Sequence, residues 1–158
     1  FDLIINRKNT MSNMYVGEGD MGMDYEVHDK DVYTSWDEVP DEAKKGILLP
    51  EYLPEGMELE KIKVFGNHPQ RVELQYGNYS NSNQYIQVSV RQFEDEKVKD
   101  EITNPQAEYI GTETVNTVEY HIYKFEKENL IFFVVGDNIY YVYSTLPIEE
   151  LKEIAVSF

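Results

Sequence analysis

From residue 59 onward the chain alternates apolar and polar residues in short runs broken by turn formers, the period-2 pattern of strands that bury one face. Six runs carry it, at 59–65, 72–76, 85–90, 118–125, 130–135 and 139–143. Their connections are mostly of hairpin length, which predicts an antiparallel sheet. The polar stretch 77–83 loops between two runs, and Gly136-Asp137-Asn138 supplies residues that accept the positive φ of a tight hairpin turn. A further hairpin is marked at Val115-Asn116-Thr117-Val118. The charge-rich stretch 94–101, closed by Asn104-Pro105, reads as a solvated helical turn or a loop.

Helical signals flank the sheet. Ser35-Trp36-Asp37-Glu38 has the capping-box pattern, which predicts a helix running to Lys44 and Lys45 with Gly46 as its left-handed stop. Pro40 fits only the first turn, so this helix is short. Pro50 and Pro54 then fix an extended elbow, and Gly56 permits the turn that starts the first strand, with Tyr52 and Leu53 free to anchor the elbow in the core. At the far end, Pro147 and acidic residues open a helix over 147–156 that places Ile148, Leu151, Ile154 and Ala155 on one face, a stripe suited to packing on the sheet. Residues 1–34 hold no sustained period and read as an irregular arm, with a short, exposed edge strand within 27–33. The predicted fold class is α+β: a single domain over 35–158 with an antiparallel sheet of about six strands, a short N-terminal helix and a C-terminal helix packed on the sheet.

Composition adds a core and removes several chemistries. The 158 residues include 13 Tyr, 7 Phe and one Trp, apolar area that favours strands. Fourteen Lys and Arg against 30 Asp and Glu give a net charge of −16, which repels phosphate backbones and argues against nucleic acid as a partner. The same charge confers solubility, the reading favoured over a dedicated cation site. With no cysteine there is no disulfide, thiolate metal site or cysteine nucleophile, a composition that suits an exported bacterial domain. No apolar run reaches the length of a membrane span. The start at Phe1-Asp2-Leu3-Ile4-Ile5, without an initiator Met, is what a chain cut after a signal or anchor would show, so an anchor is expected upstream of Phe1.

No set of residues spells out a reaction. Gly17-Glu18-Gly19-Asp20-Met21-Gly22 has the glycine spacing of a dinucleotide turn but no preceding strand, and its acids repel phosphate, so a plain turn is expected. Asp20, Asp24, Glu26, Asp29 and Asp31 lack the ordered spacing of a calcium loop. His28, His68 and His121 are scattered, with His68 read as a turn residue and His121 as a surface or hydrogen-bonded strand residue. Gly-x-Ser-x-Gly is absent. No catalytic residue, metal or cofactor is therefore assigned. The recognition candidates are Tyr76, Tyr79, Asn81 and Tyr85, in and around the 77–83 loop, since tyrosine offers a flat apolar ring with a polar tip. Tyr140 and Tyr141 are adjacent in a strand and must face opposite ways, so at least one is structural.

The elbow Pro50-Glu51-Tyr52-Leu53-Pro54-Glu55-Gly56, Tyr109-Ile110-Gly111, Asn138-Ile139-Tyr140-Tyr141-Val142 and the stretch 146–157 together resemble a bacterial domain family of unknown function, over residues 35–158. Phe132 and Phe133 stand where such sequences often carry a Trp. The resemblance implies the extracytoplasmic C-terminal part of a membrane-anchored, anti-sigma-factor-like or envelope-stress protein of Gram-positive bacteria. It implies no catalytic residues. The expected function is a non-enzymatic extracytoplasmic sensor or protein-interaction domain, tethered to the membrane and bound to a protein partner or wall component. The alternative is an exported module that binds cell-wall glycan or peptide.

Overall fold

The computed structural model describes residues 30–66, 70–92 and 107–158. Eight antiparallel strands form one sheet: β1 (Lys30–Tyr33), β2 (Met57–Phe65), β3 (Arg71–Asn78), β4 (Tyr85–Gln92), β5 (Glu108–Val115), β6 (Val118–Lys124), β7 (Asn129–Val135) and β8 (Asn138–Ser144). Their spatial order is β1-β2-β3-β4-β8-β7-β6-β5. Two four-stranded meanders thus meet along β4 and β8, paired from Ile86↔Ser144 to Gln92↔Asn138. The six expected strands are all present.

The two additional strands sit at the edges. β1 pairs with β2 from Lys30↔Phe65 to Tyr33↔Ile62, inside the 27–33 stretch expected to hold a short edge strand, so the sheet begins ahead of residue 35, where the domain was expected to start. β5 is exposed along nearly its whole length, which is why it lacks the alternation that marks the other strands. The β5–β6 hairpin turns at Asn116 and Thr117, with φ of 50° and 70°. This two-residue left-handed geometry suits asparagine and strains a β-branched threonine. The dinucleotide-like glycines, His28, His68, the acidic residues 20–29 and the charged stretch 94–101 lie outside the described residues.

The predicted N-terminal helix is split. A 3-10 turn covers Trp36–Glu38, and α1 covers Asp41–Lys44. Val39 between them is extended, with ψ of 133°, because a residue preceding proline avoids helical geometry and Pro40 follows. The capping box also rearranges: Ser35 Oγ accepts from Asp37 N at 3.2 Å, while Glu38 reaches back to Thr34 N at 3.4 Å. Gly46, at φ 74°, supplies the left-handed residue after the helix.

α2 (Ile148–Ala155) buries Leu151, Ile154 and Ala155 against the sheet, with Ile148 partly buried beside them. Its face joins Ile62, Leu74, Val88, Ile131 and Val142 in the larger core. A smaller cluster occupies the opposite face of the sheet, around Tyr123, Leu130, Phe132, Tyr141 and Tyr143. Tyr140 and Tyr141 divide between them, and both are fully buried. Tyr140 stacks on Phe133 at 5.2 Å, and its hydroxyl accepts from Leu48 N at 3.0 Å. Both members of the pair are structural.

The elbow is held from two directions. Ser157 Oγ accepts from Glu51 N at 3.1 Å and Tyr52 N at 3.0 Å, tying the segment to the end of α2. Leu53 packs on the core as expected, whereas Tyr52 remains more than a third exposed. Met57 N donates to Pro54 O at 3.1 Å across a turn whose third residue, Gly56, has φ 86°. A side chain there would also meet the Asn78 carboxamide. Gly56→Ala is expected to lower stability by more than about 1 kcal/mol. Thr117→Gly, relieving the left-handed threonine, is expected to raise it by about 1 kcal/mol. Urea unfolding midpoints of the two variants should move in opposite directions.

Candidate ligand-binding groove

At the β3–β4 end of the sheet, Glu60, Gln75, Tyr79, Gln84, Tyr85 and Gln87 line an open groove of about 500 Å³. Register explains the convergence. Gln75 pairs with Gln87 and Gly77 with Tyr85, so the side chains at 75, 85 and 87 share the sheet face opposite α2. Glu60 arrives by a different route: β2 pairs Leu59 with Tyr76 and Lys61 with Gln75, leaving Glu60 as the extra residue of a bulge. Its carboxylate lies over Gly77, where a Cβ would overlap it. Glycine at 77 therefore leaves room for the carboxylate at the groove wall.

The loop that carries Tyr79 is braced on both sides. Asn78 Oδ1 accepts from Ser80 N at 2.9 Å, and Asn81 Oδ1 accepts from Asn83 N at 3.1 Å, two local turns built on asparagine. Asn78 Nδ2 donates to Gln84 Oε1 at 3.0 Å and to Glu55 O at 3.3 Å, joining the loop to the elbow turn. From the end of β8, Ser144 Oγ donates to Tyr85 O at 2.7 Å, and from the next residue Thr145 Oγ1 donates to Asn83 O at 3.1 Å. A ring on such a loop is presented with little ordering left to do on binding.

The four recognition candidates separate. Tyr79 is 76% exposed and Tyr85 is 36% exposed, and both border the groove. Tyr76 touches it only from beneath: its side chain belongs to the α2-side core, and burial pushes its phenol well above the ordinary range. Asn81 does not line the groove, and its carboxamide instead holds the turn. The elbow residues Pro50, Tyr52, Leu53, Pro54 and Gly56 also lie outside the groove lining. The sequence reading missed Glu60, the three glutamines and Glu128. A bulge has no composition signal, and glutamines alternating in a strand read as solvated positions.

Glu128 sits in the tight β6–β7 connection, where Phe125 N donates to Glu128 O at 2.8 Å. Its side chain is buried, and it accepts a hydrogen bond from the Tyr85 hydroxyl. Burial raises its carboxyl from 4.5 to about 7. Tyr85 is thereby held at its tip by Glu128 and at its backbone by β8.

Burial also perturbs His121. Thr112 Oγ1 bonds its Nδ1 at 3.0 Å, Tyr109 bonds Thr112 at 2.7 Å, and the ring stacks on Phe132 at 4.8 Å. Burial lowers it to about 4 against the opposing pull of Glu119, so it is neutral at pH 7, and its 3.8 Å approach to Glu119 is not an ion pair there. Among the described residues no group of three or more His, Asp or Glu side chains is placed to hold a metal. No helix among them is long and apolar enough to cross a membrane.

A family model described as a domain of unknown function (DUF4367) matches residues 47–157. The match takes in the elbow, β2 to β8 and α2, while β1, the 3-10 turn and α1 precede it. No curated protein and no solved structure matches the chain.

Between about pH 4.5 and 7 the folded protein binds more protons at Glu128 than the unfolded chain does. The contribution of this group to stability is complete below that window and is lost as pH rises through it. Glu128→Gln keeps an acceptor for Tyr85 and removes the charge. Urea unfolding should find the variant more stable than the parent by about 3 kcal/mol at pH 8 and nearly equal to it at pH 4.

Proposed function

The chain belongs to this DUF4367 family, and from that premise we propose that it is a non-enzymatic recognition domain that takes a polar wall-derived ligand in the Tyr79–Tyr85 groove. The reading rests on one observation: a braced loop presents an exposed ring beside a second tyrosine, a carboxylate and three carboxamides. Flat rings suit the apolar faces of a sugar or peptide, and carboxamides both donate to and accept from its polar groups. Glu60 and the overall charge of −16 disfavour an anionic ligand.

In the proposed setting the domain is extracytoplasmic, tethered by an upstream anchor, and reports ligand occupancy to an anti-sigma-factor-like regulator. That part rests on the family resemblance carried by the elbow, the late Asn138-Ile139-Tyr140-Tyr141-Val142 strand and the closing helix. A stand-alone exported module that binds cell-wall glycan or peptide is the second reading, favoured by the same groove chemistry. The full-length gene separates the two: an upstream membrane span with a cytoplasmic region supports the regulator, and its absence leaves the module.

Titration of the labelled protein with soluble peptidoglycan fragments should shift the amide resonances of Gly77, Tyr79, Gln84 and Tyr85. Tyr79→Ala, at an exposed position, should weaken binding by about tenfold, or 1.4 kcal/mol, with no change in unfolding midpoint. Groove resonances that stay still at millimolar fragment would sink the wall-ligand reading.

A further inference from the structure

β5 ends the sheet with its outer edge unpaired among the described residues. A free edge is a row of N–H and C=O groups open to another chain, which many proteins blunt with lysine, proline or a bulge. β5 contains neither lysine nor proline. It has one bulge, at Ile110 between the Tyr109 and Gly111 pairings, and from Gly111↔Ile122 to Val115↔Val118 its register is regular. The strand is also sticky: Tyr109 and Ile110 are about half exposed.

Just inside this edge, Val115, Tyr120, Ile122, Ala155 and Val156 border an apolar notch of about 20 Å³ between the sheet and α2. That is room for one small aliphatic group. Charge sets the rest of the surface. Lys152 lies between Glu113 at 2.6 Å and Glu149 at 3.1 Å, so two carboxylates share one ammonium at the rim. Glu119 of β6, paired with Thr114, is 55% exposed at its side chain, and among the described residues its ionisable neighbour is the neutral His121. Glu108 lies opposite Lys124. A second copy of a chain carrying −16 would meet this edge against like charge.

We propose that β5 accepts an extended basic segment of a partner protein as a ninth strand. The segment directs a small aliphatic side chain into the Val115–Val156 notch and cationic side chains on its alternate face toward Glu119. Main-chain hydrogen bonds to β5 supply affinity, while the notch and the carboxylates supply selectivity. This surface is separate from the Tyr79–Tyr85 groove, and the two roles stand or fall independently.

The test titrates labelled protein with an N-acetylated octapeptide of alternating valine and lysine, followed by amide shifts and hydrogen exchange. Residues 111–115 should shift and gain protection. Val156→Lys, which sets an ammonium at the mouth of the notch, and Glu119→Lys should each weaken binding by at least about tenfold. Tyr79→Ala should leave it unchanged, and the unperturbed remainder of each spectrum verifies the fold. Three results overturn the proposal: β5 amides unmoved by saturating peptide, an equal response to alternating valine and glutamate, or self-association through β5 that makes a second copy the occupant.

Discussion

The architecture depends on β8 being buried on both faces at once. Ile139, Tyr141 and Tyr143 point into one apolar cluster and Tyr140 and Val142 into the other, and this strand is the seam that joins the two meanders. Two-sided burial specifies register strongly, because a slip of one residue exchanges every side chain between environments that differ in shape and polarity. Tyr140 needs its hydroxyl beside Leu48 N, and Tyr141 needs its own near the Arg91 guanidinium, 3.4 Å away. Neither ring fits the other's place. The polar tips thus supply specificity that apolar area alone would not.

A strand with no solvent-facing side leaves the concave surfaces to the periphery of the sheet. The groove lies beside the β3–β4 loop, and the notch lies between β5, β6 and the end of α2. The helix side contributes mainly support: α2 packs on β7, and Ser157 just beyond its end holds the elbow by two backbone amides. Phe158 packs against Phe133 and Tyr140, so the chain end is itself part of the core around β8.

The strands that bury a face were legible in the sequence because period-2 alternation is a direct imprint of one-sided burial. β5 carries no such imprint, because an edge strand exposed along nearly its whole length obeys no hydrophobic period, and only the hairpin at 115–118 marked its end. The split of the first helix was half legible. Pro40 announced a short helix, but the pull of the proline on Val39 is a local steric effect that outweighed the capping-box pattern. Within the groove, Tyr79 and Tyr85 were readable from loop chemistry, whereas Tyr76 was misplaced by a face assignment that only the register with Ile86 decides. Glu60 and Glu128 were invisible for a common reason. Acidic residues in a chain with 30 of them read as solvent-facing, and only a bulge and a tight turn single these two out.

Asn78 makes one side chain common to the elbow turn and the recognition loop, through Glu55 O on one side and Ser80 N and Gln84 on the other. Two regions that share a fixed node do not fluctuate independently. The Pro54–Gly56 turn and the loop that carries Tyr79 are held by the same carboxamide. The geometry of the loop is in that sense set in part by a turn that lies outside the groove.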